Sequence, residues 1–291
     1  MTKLFDVLLI GHIDKGRIIL DSQIQGLAGG AVYFAGMVYL AVGLKLGILT
    51  RLAREDVELL TELQENGACV FPVFVPKTTA IDNLLSKSSP HKRRLICRGF
   101  AGTFQSDDLP LASARIFHLG TIMPDEIDLS FLRAVAERGP VALDAQGCLR
   151  RLVGDELVIS NWSWANQALP LVEYLKVDED EVRVLAGKDD YLEALENLGG
   201  RGPREIILTH SRGVVVWYKG KVHKARFCTK TVLGRSGRGD TCFAAYLSRR
   251  LLGDSPEEAT RFAAALTSLK LERPGPFRGS LKEVHHLLEL V

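Results

Sequence analysis

The sequence predicts an α/β fold: a mostly parallel sheet with helices on both faces and a small β lid. Three observations predict it. Short apolar runs that read as buried strands alternate with helical stretches along most of the chain. One stretch, Val70 to Thr103, breaks that alternation with β character and no long helix. The composition is that of a globular chain, with 46% hydrophobic and 25% charged residues over 291 positions. Such a length buries a full core without disulfide staples. The chain is read as one domain over 1–291, with a β-rich insert at about 70–103.

Each element follows from local pattern. FDVLLIG is an apolar run ending in Gly11, a buried strand. Gly29-Gly30 marks a tight turn, Ala31 to Gly43 a fully buried helix, and LGILT a second strand. Glu55 to Asn66 reads as an amphipathic helix stopped by Gly67. ACVFPVFV is a strand whose Pro72 predicts a sheet edge. After the insert, ARIFHLG is a strand and Ser130 to Arg138 a helix closed by Gly139. VALDAQG, YLKVD, IILTH and VVVWY are further strands, and Lys219-Gly220 is a hairpin turn before KVHKARF. Three helices close the chain. The first runs from Asp240 to Leu252, and capping boxes at Ser255–Glu258 and Ser280–Glu283 open the other two.

Composition also excludes classes. Lys plus Arg is 37 and Asp plus Glu is 35, so the formal net charge is only +2, too balanced for electrostatic nucleic-acid binding. The uncharged stretch from Ala28 to Leu44 sits at the bottom of the membrane-spanning range and is broken by Gly29, Gly30, Gly36 and Gly43, so no membrane span is expected. The 5 cysteines are scattered with no Cys-x-x-Cys pair, which argues against a zinc site and a disulfide framework and favours a cytoplasmic location. P-loop, dinucleotide, zincin and α/β-hydrolase motifs are absent from the sequence.

The sharpest local signal is Gly237-Arg238-Gly239-Asp240 leading into TCFAAYLSRRLLG. Glycines let successive backbone N–H groups converge, and a helix starting there adds the positive end of its dipole. Together these make a site for phosphate oxygens. Asp240, in the first turn, is placed to take a proton from an attacking hydroxyl. The competing structural reading is a plain glycine-rich loop with Asp as cap. Asp144 and Gln146 fall at the end of VALDAQG, the edge where open α/β sheets bind ligands.

The segment from Gly234 to Tyr246 resembles the C-terminal signature of the PfkB/ribokinase family of small-molecule kinases. Gly11-His-Ile-Asp14 resembles that family's acceptor-binding opening, Gly29-Gly30 its di-glycine turn, and LGILTRLARED the strand and loop that follow. The pieces agree in order and spacing over essentially the whole chain. The resemblance implies a ribokinase-like three-layer sandwich with a lid over the acceptor, and transfer of the ATP γ-phosphoryl group to a hydroxyl with Mg2+. It makes Asp240 the catalytic base and Gly237, Arg238 and Gly239 the anion hole. It sets Asp14, Gly29 and Gly30 against the acceptor; Asp144 and Gln146, by their place at a strand end, are expected to bind substrate too. It gives Asp178 and Glu181 to hydrated Mg2+ and phosphate, and Thr209, Ser211 and Gly213 to the nucleotide. No direct protein metal ligand is expected.

Departures from the family pattern bear on the acceptor. Gly234-Arg235-Ser236 stands where the family often has Asp-Thr, Gly16 where many members carry a second acid, and Ser211 where a glycine is usual. Ala31-Val32-Tyr33 replaces the polar set of ribokinases, and with Pro274-Gly-Pro-Phe277 it resembles the inositol-kinase-like branch. The expected function is an ATP-dependent kinase of a small neutral polyol or sugar, myo-inositol-like. The alternatives are a ribose or nucleoside kinase and a non-catalytic sugar or nucleotide sensor. Partners beyond the small molecule are limited to a homodimer formed through the lid.

Several residues also have plain structural readings. Asp178 and Glu181 form an N-cap and its partner before a helix, and Asp14 would bond a turn. His12, His118, Trp162 and Trp164 read as packing residues. The basic run Lys87, His91, Lys92, Arg93, Arg94 and Arg98 reads as a solvated loop.

Overall fold

The first apolar run forms β1 (Lys3–Ile10), with Val7 to Ile10 buried. The computed structural model describes residues 3–86 and 93–290. After β1 the chain turns out as a hairpin, β2 (Asp14–Leu20) and β3 (Gln23–Gly29), and returns as α1 (Gly30–Val42). β4 (Leu46–Leu52), a 3-10 segment (Arg54–Leu60), α2 (Thr61–Glu65) and β5 (Cys69–Phe74) follow. Next come β6 (Ala80–Leu85), β7 (Arg93–Gly99), β8 (Ala112–Gly120), α3 (Leu129–Ala136) and β9 (Val141–Asp144). A second hairpin, β10 (Arg150–Val153) and β11 (Glu156–Ile159), precedes the one-turn α4 (Ala165–Ala168). β12 (Tyr174–Asp178), α5 (Glu179–Ala186), α6 (Tyr191–Gly199), β13 (Glu205–His210), β14 (Gly213–Tyr218) and β15 (Lys221–Arg226) continue the alternation. α7 (Arg238–Leu252), α8 (Pro256–Leu271) and α9 (Leu281–Leu290) end it.

The large sheet runs β15-β14-β13-β12-β9-β8-β1-β4-β5. It is parallel from β5 to β13, β14 adds antiparallel to β13, and β15 antiparallel to β14. One apolar cluster buries α1, α7, α8 and α9 against one face, and a second buries α3, α5 and α6 against the other. This is the three-layer sandwich. The chain steps outward from β1 to β4 and β5, then restarts at β8 on the other side of β1. Such a switch point opens a crevice at the carboxyl ends of the strands. Both expected capping boxes form: Ser255 Oγ accepts from the Glu258 amide at 3.2 Å, and Ser280 Oγ from the Glu283 amide at 3.3 Å.

A second, small sheet runs β10-β11-β7-β6-β2-β3. Its composition corrects the expected insert at 70–103. Cys69–Phe74 is no part of it: β5 pairs in parallel with β4, at the edge of the large sheet, where Pro72 costs no ladder on its open side. The small sheet instead gathers three stretches of chain, adding the hairpins 14–29 and 150–159 to β6 and β7. The first hairpin turns on Asp21-Ser22, with φ of 46° and 71°. That is a two-residue turn of the primed type without its usual glycine, so no turn signal marks it in the sequence. The stretch Glu55 to Asn66 is likewise a 3-10 segment plus one short helix, not a single amphipathic helix. Of the basic run, Lys87, His91 and Lys92 lie outside the described residues. Among those described, no helix is long and apolar enough to cross a membrane.

Candidate active site

α7 begins where the backbone can turn left-handed. Gly237 is its N-cap at φ 74°. A Cβ there would lie 2.1 Å from the Phe34 ring, so only glycine fits. No side chain caps the helix, so its first-turn amides remain for a ligand. Gly239 serves a different purpose from the one expected. It sits inside the helix at ordinary φ, and a Cβ would press 3.0 Å from Cε of Lys176. It is glycine for close approach, not for a left-handed turn. Asp240 follows in the first turn, half-buried. Burial raises its carboxyl above the usual range, while Lys176, Lys270 and Arg150 pull it back.

Lys176 lies on β12 at the centre of the site, 3% exposed. Its Nζ is 3.1 Å from the Asp144 carboxylate and 3.8 Å from Oε2 of Glu181. One ammonium thus serves several acids. It stays firmly protonated, yet each acid remains short of counter-charge. Burial consequently pushes Asp144 up to about 6 and Glu181 up to about 7. Asp178 and Glu181 form a reciprocal cap on α5. Asp178 Oδ1 accepts from the Asp180 and Glu181 amides at 3.0 and 2.9 Å, and Glu181 Oε2 accepts from the Asp178 amide at 2.7 Å. The structural reading of this pair therefore holds, and each carboxylate keeps a second oxygen outside the cap.

On the opposite side, Asp14 pairs with Gly29 across the first hairpin. Its Oδ1 accepts from the amides of Gly16 and Ile81 at 2.8 and 2.9 Å, which ties β2 to β6. Burial pushes the carboxyl up to about 7. Gly29 and Gly30 both have positive φ, and a Cβ on Gly30 would lie 3.1 Å from Cβ of Asp14. Asp14, Gly29 and Gly30 are thus neighbours. Gln146 belongs to the Lys176 side instead, its backbone amide donating to Asp144 Oδ1 at 3.1 Å.

Arg150, at the start of β10, joins the two sides. It is half-buried, its Nη1 donates to the Ile122 carbonyl at 2.7 Å, and burial lowers it to about 10. Its charge acts on Asp14 and on Asp240 alike. Thr209, next to last in β13, has its Oγ1 beside Gly239. Ser211 is exposed in the tight hairpin between β13 and β14. Gly213 sits where a Cβ would fall 2.3 Å from the Ala225 carbonyl, so strand pairing alone requires glycine there.

Sequence reasoning missed Arg150, Lys176 and Lys270. Lys176 was visible as the single basic residue inside YLKVD, and Lys270 as the single charge in AAALTSLKL. His12 and His118 are buried packing residues, His12 sharing a 2.8 Å hydrogen bond with Thr79 and His118 a 2.7 Å one with Tyr39. Trp162 and Trp164 meet edge to face at 4.8 Å. Among the described residues, no group of three or more His, Cys, Asp or Glu could hold a metal. The uncommitted oxygens of Asp178 and Glu181 fit a hydrated ion held by phosphates rather than an all-protein cage.

The layered sheet and the small second sheet are those of the ribokinase fold. The pfkB family carbohydrate kinase model matches residues 58–282, and the chain belongs to that family. Over 195 residues, 63% of the chain, it is 27% identical to a ribokinase of Arabidopsis thaliana. That match spans 48% of the plant protein, so the chain covers about half the length of this curated relative. Among solved structures it is similar to a pyrophosphate-dependent kinase of the ribokinase family complexed with a pyrophosphate analog and myo-inositol. The identity is 29%, with 96% of this chain and 99% of that one covered and a TM-score of 0.89. A sulfate complex of a pyrophosphate-dependent kinase in the family gives 30%, the same coverage and 0.90. Arabidopsis thaliana ribokinase complexed with ribose and ATP shares the fold at 21% identity, a TM-score of 0.77 and 99% coverage of both chains.

Proposed function

We propose that the chain transfers a phosphoryl group from inorganic pyrophosphate to a hydroxyl of a small neutral cyclic polyol of the myo-inositol type. The observation that carries it is the gathering of Arg150, Lys176, Arg238 and Lys270 around the uncapped start of α7, with Asp240 in its first turn. Amides at a helix start and fixed cations stabilise charge on a transferring phosphoryl group and on a phosphate leaving group. Asp240 takes the acceptor proton, and Asp14 holds acceptor hydroxyls with its free oxygen. Mg2+ would be held by the donor phosphates and waters, with Asp178 and Glu181 accepting from those waters, and would supply charge neutralisation. Similarity to pyrophosphate-dependent kinases over 96% of the chain supports both the donor and the acceptor class.

ATP, the donor expected from the sequence, is the second reading. The hairpin from Thr209 to Gly213, abutting the helix start at Gly239, supports it as a place for a nucleotide to extend. The small sheet would cover the acceptor and limit transfer to water. Exposed Ile24, Leu152, Val153 and Ile159 on its strands support a homodimer through that sheet.

The test is a two-way panel: pyrophosphate and ATP against myo-inositol, ribose and a nucleoside, read by phosphorus NMR for a new phosphomonoester. Pyrophosphate with myo-inositol should give the fastest turnover. Turnover with ATP alone would replace the donor, faster turnover with ribose would replace the acceptor, and a folded chain that binds ligands without turnover would be a sensor.

A further inference from the structure

We propose that Lys270 is a built-in cation of the donor site: its ammonium occupies a carbonyl-lined niche beneath the anion hole, orients that loop, and frees the enzyme from any need for an added monovalent cation. This deepens the reading of the chain as a phosphoryl transferase and rests on it.

Lys270 lies near the end of α8, where its neighbours Leu266, Thr267, Ser268 and Leu271 are all buried. It is itself only 2% exposed. A buried ammonium is costly unless something compensates it. Among the described residues, no carboxylate forms an ion pair with it. Its Nζ donates instead to the carbonyl of Gly234 at 2.6 Å and to the carbonyl of Ser236, and it lies 5.2 Å from the centre of the Phe34 ring. Backbone oxygens and a π face are the surroundings a simple monovalent cation takes. With so little counter-charge, burial lowers the ammonium to about 8.

The two carbonyls are not arbitrary. Ser236 C=O and Gly237 N–H belong to one trans peptide, and in such a unit they point in opposite directions. Drawing the Ser236 oxygen down onto the ammonium therefore turns the Gly237 N–H away from it. The same holds for Gly234 C=O and Arg235 N–H. Lys270 thus sets the direction of amides in the loop that leads into α7. Its charge also reaches Asp240, lowering that carboxyl and adding positive potential behind the transferring group. Phe34 links this niche to the helix start, since its ring also packs on Gly237. Lys270 faces the loop carbonyls and touches no reacting atom. It is a positioning residue.

A lysine kept only for packing would be replaceable by Met, whereas a lysine acting as a cation leaves a hole that a small cation refills. The assay uses the full chain with whichever donor–acceptor pair turns over, in sodium, potassium, ammonium and tetramethylammonium chloride at equal ionic strength. Wild-type kcat should agree across the salts within about 2-fold. Lys270→Met should lose about 10²-fold in kcat, the scale of one lost anion-hole contribution. Ammonium or potassium should return at least about 10-fold of that loss, and tetramethylammonium, too large for the niche, none of it. Lys270→Gln, which keeps a donor and drops the charge, should also be rescued and serves if the Met variant does not fold. A wild-type enzyme that needs potassium, a Met variant keeping half its kcat, or a loss that no cation relieves would each overturn the proposal. Melting temperature gives a readout free of turnover: ammonium or potassium should raise it in the variant and not in wild type, and equal responses would refute the niche. Absence of turnover in wild type with every donor would instead count against the kinase reading.

Discussion

Replacing Lys176 by Met removes the ammonium that Asp144, Glu181 and Asp240 share. Asp144 is 3.1 Å away and Glu181 3.8 Å, and the side chains of Lys176, Asp144 and Glu181 are 3 to 5% exposed. Removing one partner of so buried a pair costs about 3–5 kcal/mol, a large part of the ~5–15 kcal/mol that holds a domain together. The pH dependence has a definite sign. Asp144 at about 6 and Glu181 at about 7 lie above their unfolded values, so their stability contribution is full below those unfolded values and is lost as pH rises through the folded ones. Without Lys176 both rise further and the loss deepens. Urea unfolding should therefore show the full ~3–5 kcal/mol deficit near pH 8 and less than ~1 kcal/mol near pH 5, where both acids are protonated in either protein. Adding Asp144→Asn should return about half of the deficit, because it removes one stranded charge. Equal urea midpoints at pH 8, or a deficit that does not change with pH, would refute the reasoning.

Asp240→Asn should fold as wild type and lose about 10²–10⁴ in kcat, checked by melting temperature and single-turnover rate. The acceptor KM should rise as pH falls below about 7, because protonating Asp14 removes the anion that holds the hydroxyls, and Asp14→Asn should flatten that dependence. Gly237→Ala should cost ~1–2 kcal/mol for its left-handed backbone and more for overlap with the Phe34 ring 2.1 Å away, with transfer down more than ~10-fold. Denaturant midpoints and kcat measure the two effects separately.

Much of the layered fold was legible because its causes are local. The periods of FDVLLIG and VALDAQG, the Ser255 and Ser280 capping boxes and the Lys219-Gly220 turn each carry their own signal within a few residues. The glycine-rich start of α7 with Asp240 was legible for the same reason: the conformation Gly237 needs is written in its own residue type. The small sheet was legible only in part. Its strands come from three distant stretches, and the Asp21-Ser22 turn has no glycine to announce it.

What the sequence determined by itself is therefore the alternation, the caps and the residue types of the glycine-rich start of α7, all set by interactions within a few positions. What only the tertiary structure decided is charge. Arg150, Lys176 and Lys270 lie far apart in sequence on a hairpin, a strand and a helix, and only the apolar neighbours of the two lysines set them apart from ordinary basic residues. Packing brings them to one crevice, strips their water and sets them against Asp14, Asp144, Glu181 and Asp240. Coulomb energy depends on distance and burial, and no linear pattern encodes either.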